Sequence, residues 1–287
     1  MIQDIAPKKL YNQYDPMKLP DADSLAVCVY NNRILCKLED ELVFPTCKMI
    51  KNIMDHTMQD VAKPIYLFRI DEVEYYLYMD LDVTVNVDTS LEKYRYVDLR
   101  EVREKNMGPR YQDMALYTAK HIADWYRDTK FCGRCGNKMV HSESERAMVC
   151  PECKNTVYPR IMPAVIVGVR NGDKILLTKY KTGFAHNALV AGFTEIGETL
   201  EETVRREVME ETGLKVKNIT YYKSQPWGVA NDILMGFYCD VDGDTTITRD
   251  DSELKYADWV EREDIILQPN DYSLTNEMMT MFKEGRM

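Results

Sequence analysis

The stretch that decides the fold is GFTEIGETLEETVRREVMEETGL, residues 192–214. Strong helix formers dominate residues 199–212, and Gly213 suits the position that ends a helix. Apolar side chains recur at i, i+4 and i+8 and share one helix face: Leu200, Val204 and Val208. The segment is therefore predicted to be a helix that packs one face against a core.

A second face of this helix carries three carboxylates. Glu207, Glu210 and Glu211 are spaced i, i+3 and i+4, and like charges at this spacing cost a few tenths of a kcal/mol per pair. A bound Mg²⁺ or Mn²⁺ ion would reverse that cost, because hard cations take carboxylate oxygens and bridge them to phosphates. The alternative is a solvated acidic face, which is the interpretation for Glu201 and Glu202.

Upstream of the helix, four cysteines form two C-x2-C pairs. They are Cys132 with Cys135 and Cys150 with Cys153, in a segment too poor in apolar residues to build its own core. Two such knuckles can direct four thiolates to one tetrahedral zinc ion, which would supply the missing folding free energy. Four buried thiols or disulfides are the alternative. The solitary Cys28, Cys36, Cys47 and Cys239 are interpreted as small buried apolar residues.

Alternating strand and helix patterns extend over the remaining chain. Two hairpins are predicted about the turns Asn31-Asn32 and Asp71-Glu72, with a helix at 48–59 between them. A helix is predicted from 111 to about 130. Strands are predicted on either side of residues 171–173 and near 216–224, 233–241 and 255–260, with a last helix at 273–284.

The overall charge limits the class of partner. The net charge of −10 disfavours a protein that binds duplex nucleic acid, although a basic pocket for one phosphorylated metabolite remains compatible with it. The first residues lack the apolar core of a secretory signal, and 18 apolar residues nowhere run together. We therefore expect a cytoplasmic protein with no membrane segment and with its cysteines as thiols or metal ligands.

The glutamate helix resembles the Nudix box, G-x5-E-x7-R-E-U-x-E-E-x-G-U, where U is aliphatic. The matching residues are Gly192, Glu198, Arg206, Glu207, Val208, Glu210, Glu211, Gly213 and Leu214. The segment from about 119 to 259 resembles the NADH pyrophosphatase branch of the Nudix hydrolases. The features that carry this resemblance are the zinc pairs, YPR at 158–160, AGF at 191–193 and SQPW at 224–227.

The resemblance implies an α+β chain of three domains. A small N-terminal α+β domain (1–125) and a zinc ribbon (126–160) would precede a Nudix α/β/α sandwich with a mixed sheet (161–287). The branch forms homodimers, so a homodimer is expected here.

The resemblance also assigns roles to residues of the site. Catalytic Mg²⁺ or Mn²⁺ would be held by Glu207, Glu210, Glu211, Glu253 and the Ala191 carbonyl. Glu198 would brace the loop before the helix, and Arg206 would orient a carboxylate through a bidentate pair. The expected substrate contacts are Tyr158 and Phe193 around a nicotinamide ring, Glu145, Gln225 and Trp227. From residue type alone, Tyr158 and Phe193 fit core packing equally well.

One segment departs from the branch signature SQPWPFPxS. Here Trp227 is followed by Gly228-Val229-Ala230-Asn231-Asp232, so a rigid Pro-Phe-Pro turn has become small and flexible. This loop belongs to the specificity region, and the departure bears on substrate choice and leaves hydrolysis intact.

The expected activity is metal-dependent hydrolysis of the pyrophosphate bond of NADH or NAD⁺ to NMN(H) and AMP. Glu211 or Glu253 would accept the proton of the attacking water. The NAD-capped 5′ end of an RNA presents the same bond and is a second expected substrate. The alternatives are the same chemistry on ADP-ribose, FAD or a dinucleoside polyphosphate, and a non-catalytic nucleotide sensor.

Overall fold

A computed structural model describes residues 1–57, 63–83, 93–105, 107–182 and 186–287. The chain divides into two compact units. The N-terminal unit comprises Gln3–Arg160 and Gly228–Ala230, and the C-terminal unit comprises Met1–Ile2, Ile161–Trp227 and Asn231–Met287. Every helix in the described ranges is too short or too polar to cross a lipid bilayer.

The N-terminal unit begins with a mixed sheet and helices. Its elements are β1 (Leu10–Tyr11), β2 (Leu25–Tyr30), β3 (Arg33–Leu38), β4 (Leu42–Val43), α1 (Cys47–Thr57), β5 (Ile65–Ile70), β6 (Val73–Met79), β7 (Arg95–Val97), α2 (Leu99–Lys105) and α3 (Arg110–Asp128). The strand order is β1-β5-β6-β2-β3-β4, with β7 also paired to β3, and β2 runs parallel to β6. Residues 58 and 59 of the helix predicted at 48–59 lie outside the described ranges.

Both predicted hairpins of this sheet are confirmed. Asn31 and Asn32 have φ values of 48° and 63° between the antiparallel strands β2 and β3. Asp71, with φ of 51°, makes the turn between β5 and β6. Asn and Asp tolerate this left-handed conformation better than other non-glycine residues. The turn residues therefore set the register of each hairpin.

The cysteine-rich segment follows α3 and forms a small antiparallel sheet. Its strands are β8 (Val140–His141), β9 (Met148–Val149) and β10 (Thr156–Val157), in the order β10-β9-β8. Apart from its cysteines, the buried apolar side chains of this segment are Met139, Ala147 and Met148, which make a very small core.

The C-terminal unit has a second mixed sheet. Its elements are β11 (Met162–Asn171), β12 (Lys174–Tyr180), β13 (Val190–Phe193), α4 (Leu200–Thr212), β14 (Val216–Trp227), β15 (Asp232–Val241), β16 (Leu254–Glu261) and α5 (Leu274–Lys283). The strand order is β14-β15-β11-β12-β16, with β13 also paired to β11. β11 and β15 run parallel, and the other pairs are antiparallel.

Helices cover both faces of this sheet. On one face, Val204 and Val208 of α4 pack with Val165 and Val167 of β11. On the other face, Met278 of α5 packs with Ala164, Ile166 and Leu234. The α+β class and the α/β/α sandwich with a mixed sheet are therefore confirmed. The three-domain boundaries at 125/126 and 160/161 stay a prediction.

The sequence of α4 defines both of its ends. Thr199 Oγ1 accepts a hydrogen bond from Glu202 N at 3.2 Å, and Glu202 Oε2 accepts one from Thr199 N at 2.7 Å, which makes a capping box. Glu202 therefore has a structural role beyond that of a solvated acidic residue. At the other end, Gly213 has φ of 72° and its N–H bonds Met209 O. These caps fix which residues of α4 face the sheet.

Thr199→Ala should lower the free energy of unfolding by about 1 kcal/mol, because the first turn of α4 loses its side-chain acceptor. Thr199→Ser keeps a hydroxyl acceptor and is the matched control, with a change of at most a few tenths of a kcal/mol. Urea denaturation followed by circular dichroism measures both. Equal losses in the two variants would contradict the assigned capping box.

Candidate active site and zinc site

The three glutamates predicted on α4 differ in their exposure. Glu211 is 3% exposed, the side chain of Glu207 is 13% exposed, and the side chain of Glu210 is 59% exposed. Glu207 lies so close to β13 that a Cβ atom built on Gly192 would be 1.9 Å from its carboxyl carbon. Only a glycine at position 192 leaves room for this carboxylate. The glycine that begins the motif therefore leaves room for the half-buried carboxylate of Glu207.

Arg206 binds several of the predicted site residues. Its Nη1 donates to Glu207 Oε1 at 2.6 Å and to Glu210 Oε2 at 3.0 Å. Its Nε and Nη2 donate to the two oxygens of Glu198 at 2.6 and 2.9 Å, which is a bidentate pair. Nη2 also donates to the Phe193 carbonyl at 2.9 Å. One guanidinium thus offsets part of the repulsion among the carboxylates of α4.

Glu198 is tied to the loop before α4. Besides Arg206, its carboxylate accepts hydrogen bonds from Glu195 N at 3.1 Å and from Thr203 Oγ1 at 3.0 Å. The bonds from Arg206 are the main reason that the pKa of Glu198 falls to about 2. A carboxylate so fully engaged is a weak proton acceptor. The structure therefore gives Glu198 a role in holding the loop.

The buried carboxylate of Glu211 has one oxygen in use. The Tyr180 hydroxyl lies 3.1 Å from Glu211 Oε1 and 3.4 Å from the Ala191 carbonyl, so it donates toward both. Among the described residues, the buried Oε2 atom has no hydrogen-bond partner. Burial raises the pKa of the Glu211 carboxyl to about 8, and the charges of Glu207 and Glu253 act in the same direction.

Glu253, predicted from outside the motif, acts on the same group of residues. It is exposed, and its charge raises the pKa of both Glu207 and Glu211. Burial is the main cause of the raised pKa of Glu207, and Arg206 opposes it. The buried oxygen of Glu211 with no partner among the described residues and the close packing of Glu207 both fit a hard divalent cation as the missing partner.

The four cysteines of the ribbon lie together. Their Sγ atoms are all within 4.8 Å of one another, with Cys132 and Cys153 3.6 Å apart and Cys135 and Cys150 3.4 Å apart. Tetrahedral zinc with Zn–S bonds of about 2.3 Å requires sulfur atoms about 3.8 Å apart. Backbone N–H groups point at two of the thiols, from Arg134 to Cys132 and from Cys153 to Cys150. The cluster therefore has the geometry of a structural zinc site.

Two of the predicted substrate contacts pair within the N-terminal unit. Tyr158 is 54% exposed, and its hydroxyl donates to Glu145 Oε1 at 2.9 Å. This bond raises the pKa of Tyr158. An exposed aromatic ring held by a carboxylate is available for stacking. Tyr158 is therefore not a core residue, which was the alternative interpretation.

The other predicted substrate contacts lie in the C-terminal unit. Phe193 is 49% exposed at the end of β13. Trp227 is largely buried and packs in the core beside α5. The fully buried amide of Gln225 donates to the Tyr272 carbonyl at 2.7 Å and accepts from Leu274 N at 2.6 Å. The structure thus gives Gln225 a structural role at the start of α5.

Two residues near the sites were not among the site residues predicted from the sequence. Tyr180 ends a strand whose pattern indicates only a buried strand, yet it bonds Glu211. Arg146, next to Glu145, lies with its guanidinium 4.7 Å from the Tyr14 ring centre and donates to the Leu67 carbonyl. Arg146 therefore fastens the ribbon segment that carries Glu145 to the N-terminal sheet. Neither role follows a local sequence pattern, because both depend on contacts distant in the chain.

Comparison with known families agrees with these two sites. Residues 160–281 match the NUDIX domain, and residues 127–158 match the NADH pyrophosphatase zinc ribbon domain. Both matches fall on the segments that hold the α4 carboxylates and the four cysteines.

Curated relatives match the same part of the chain. An NAD-capped RNA hydrolase NudC from Klebsiella pneumoniae (strain 342) is 45% identical over 152 residues, and one from Escherichia coli O9:H4 is 44% identical over 152 residues. Each alignment covers 52% of this chain and 58% of the relative, so the chain spans little more than half the length of these relatives. A crystal structure of a NUDIX hydrolase from Nitrosomonas europaea aligns with a TM-score of 0.49 and 22% identity, over 55% of this chain and 92% of that one.

Purified protein should contain about one zinc ion per chain, as a closed four-thiolate site requires. Cys150→Ser should lose most of this zinc and unfold the ribbon, because metal binding supplies its folding free energy. Cys239→Ala, at a buried thiol outside the ribbon, is the matched control and should retain the metal. Elemental analysis by mass spectrometry measures the zinc content of each protein. Full zinc in Cys150→Ser would contradict the assignment.

The raised pKa of Glu211 predicts how pH affects stability. Between pH 4.5 and about 8, the Glu211 carboxyl keeps its proton in the folded chain and loses it in the unfolded chain. Without divalent metal, the resulting stabilisation is therefore complete below pH 4.5 and is lost as the pH rises through about 8. Mg²⁺ should bind more tightly over the same range, because the ionised carboxylate is its ligand.

The measurement is the melting temperature between pH 5 and 9, with and without Mg²⁺. Without metal, the melting temperature of Glu211→Gln should depend less on pH than that of the unmodified protein. The variant should also lose most of the stabilisation by Mg²⁺. Glu201→Gln, at an exposed position of the same helix, should behave as the unmodified protein does. A pH dependence that is identical in Glu211→Gln would show that this carboxyl is not the responsible group.

Proposed function

The chain carries a NUDIX domain preceded by an NADH pyrophosphatase zinc ribbon, and from this premise we propose that it hydrolyses the pyrophosphate bond of NADH and NAD⁺. The products would be NMN(H) and AMP. The observation that carries the proposal is the buried carboxylate of Glu211, whose Oε2 atom has no partner in the described part of the chain. A buried carboxylate oxygen without a partner destabilises the folded state unless a cation binds it.

The residues that would hold the divalent metal are grouped about α4 and β13. Glu211 would supply a buried carboxylate, Glu207 a half-buried one, Glu210 and Glu253 exposed ones, and Ala191 its carbonyl. When bound, Mg²⁺ or Mn²⁺ neutralises phosphate oxygens and lowers the pKa of a water molecule. Arg206 keeps Glu207 and Glu210 oriented by its hydrogen bonds. The donor set consists of oxygen atoms, as these hard cations prefer.

A carboxylate must accept the proton of the attacking water. Glu198 is held by Arg206, and its pKa of about 2 makes it a poor acceptor. Glu211 is buried and bonded to Tyr180. Glu253 is exposed and electrostatically linked to both Glu207 and Glu211, so water can reach it directly. These differences favour Glu253 as the proton acceptor and Glu211 as a metal ligand.

Substrate choice rests on exposed aromatic residues. Phe193 and Tyr158 each present a ring to solvent, and a nicotinamide ring can stack on either, gaining about 0.5–1.5 kcal/mol beyond area burial. Glu145 orients Tyr158 through its hydroxyl. ADP-ribose lacks the nicotinamide ring, so this interpretation places it below NADH as a substrate.

An NAD-capped RNA is a second candidate substrate. The relatives with 44–45% identity are named NAD-capped RNA hydrolase NudC, and the cap presents the same pyrophosphate bond. The net charge of −10 disfavours binding along an RNA backbone. We therefore propose recognition of the cap itself, with few contacts to the following nucleotides.

We further propose a homodimer that acts in the cytoplasm. Ile161 and Met162 are apolar and 59% and 40% exposed at the start of β11, which fits a surface covered by a second copy. The solitary cysteines are free thiols, as expected in a reducing compartment. Light scattering after size-exclusion chromatography determines the oligomeric state.

A substrate panel with Mg²⁺ or Mn²⁺ tests the proposed function. NADH and NAD⁺ should yield NMN(H) and AMP, identified by mass spectrometry, with kcat/KM above that for ADP-ribose, FAD and dinucleoside polyphosphates. Glu211→Gln should reduce NADH turnover by at least about a hundredfold, because a metal ligand is lost. Glu201→Gln is the matched control on the same helix and should keep normal turnover.

Faster turnover of ADP-ribose than of NADH would contradict the proposed substrate but not the proposed hydrolysis of a pyrophosphate bond. Undiminished turnover in Glu211→Gln would contradict the metal site. Binding of NADH with no product under any metal would instead indicate a nucleotide sensor.

A further inference from the structure

A bulge interrupts the pairing of β12 with β16 at the last residue of β12. Lys179 lies opposite Tyr256, but the next residue, Tyr180, lies opposite Leu254, so β16 carries one extra residue at this point. A bulge bends its strand and changes the direction of nearby side chains. At this bend the Tyr180 side chain reaches the carboxylate of Glu211 on α4.

The Tyr180 hydroxyl lies between two of the proposed metal ligands. It is 3.1 Å from Glu211 Oε1 and 3.4 Å from the Ala191 carbonyl oxygen. The hydroxyl has a single hydrogen, and an ionised carboxylate at the shorter distance attracts it more strongly than a carbonyl does. Oε1 of Glu211 is therefore engaged, whereas Oε2 is buried with no hydrogen-bond partner among the described residues. The bond from Tyr180 thus decides which oxygen of Glu211 is left for another partner.

The residue after Tyr180 holds the segment of a third proposed ligand. The backbone N–H of Lys181 donates to the Glu253 carbonyl at 2.9 Å, and the Lys181 ammonium donates to the Asp251 carbonyl. The turn that carries Glu253 is therefore fastened to the end of β12. The adjacent residues Tyr180 and Lys181 together bond to Glu211, Ala191 and Glu253, and these three residues are all proposed ligands.

We propose that Tyr180 is a positioning residue whose hydroxyl holds Glu211 Oε1 beside the Ala191 carbonyl and so presents Oε2 to a divalent cation. This inference rests on the proposed function, because it concerns the same metal site. A carboxylate that is held in one orientation before the cation arrives loses less conformational freedom when the cation binds. The hydroxyl therefore raises the affinity of the site for the metal without itself contacting substrate.

The first test measures Mn²⁺ binding to the whole zinc-loaded chain with no nucleotide present. Electron paramagnetic resonance of free Mn²⁺ gives the dissociation constant. Tyr180→Phe keeps the ring and removes the hydroxyl, so it should raise this constant about tenfold or more, as loss of a hydrogen bond to a metal ligand does. An unchanged dissociation constant would overturn the proposal.

Tyr222→Phe is the matched control for this substitution. The Tyr222 hydroxyl donates to Glu277 Oε1 of α5 at 2.8 Å, so the control also removes one tyrosine–glutamate hydrogen bond from the C-terminal unit. Its Mn²⁺ dissociation constant should equal that of the unmodified protein. Melting temperatures without divalent metal record the general loss of stability in both variants. Equal weakening of Mn²⁺ binding in both would show a merely structural effect and would overturn the proposal.

A combined variant shows whether Tyr180 acts through Glu211. Glu211→Gln alone should weaken Mn²⁺ binding, and the addition of Tyr180→Phe should weaken it little further, because the two residues form one interaction. If the two losses multiply instead, Tyr180 acts independently of Glu211 and the proposal fails.

The dependence of NADH turnover on Mg²⁺ is the second test. In Tyr180→Phe, the Mg²⁺ concentration for half-maximal turnover should rise about tenfold or more. The kcat at saturating Mg²⁺ and the KM for NADH should change by less than about threefold, since the reacting groups are all present. A lower kcat that saturating Mg²⁺ does not restore, with an unchanged Mg²⁺ requirement, would overturn the proposal.

The two tests separate this inference from the proposed function. If no dinucleotide is hydrolysed but Mn²⁺ binding depends on Tyr180 as described, the proposed function fails and the inference stands. If NADH is hydrolysed and Tyr180→Phe binds Mn²⁺ and requires Mg²⁺ as the unmodified protein does, the inference alone is overturned.

Discussion

The burial of Glu211 and the partial burial of Glu207 beside β13 are the constraint on which the C-terminal unit depends. Glu207 and Glu211 lie close to the strand, where water no longer solvates their charges fully, and burial raises the pKa of both. Arg206 offsets part of this cost through hydrogen bonds to Glu207, Glu210 and Glu198. The guanidinium does not reach every acceptor, since Glu211 Oε2 has no partner among the described residues. That remaining cost is what a divalent cation would remove.

The rest of the unit holds this arrangement in place. The capping box at Thr199 and the C-cap at Gly213 fix the ends of α4, and Val204 and Val208 fix its rotation against the sheet. Gly192 leaves space for the carboxylate of Glu207. A shift of α4 by one residue would rotate the helix by about 100°, which would carry Val204 and Val208 away from the sheet and displace the glutamates from their positions beside β13. The same packing that stabilises the fold therefore sets the geometry of the carboxylates.

Local patterns predicted much of this structure. The period of Leu200, Val204 and Val208 located α4, and Asn31-Asn32 located a hairpin, because helix faces and tight turns are determined by neighbouring residues. The spacing of the cysteines predicted their cluster for the same reason. The bond from Tyr180 to Glu211, the anchoring of Arg146 at Leu67 and the internal bonds of Gln225 could not be predicted. Each depends on chain segments brought together by folding, and residue type alone does not indicate the partner.

We propose that carboxylates on α4 and a divalent cation together direct water to a pyrophosphate bond. Hydrolysis of NADH in water enriched in oxygen-18, with Mg²⁺ or Mn²⁺ and mass analysis of both products, tests this most directly. Two monophosphates are expected, reduced NMN and AMP, with one oxygen-18 atom in the phosphate group of one of them. Intact NADH under both metals, or cleavage at a glycosidic bond that leaves the pyrophosphate unbroken, would contradict it.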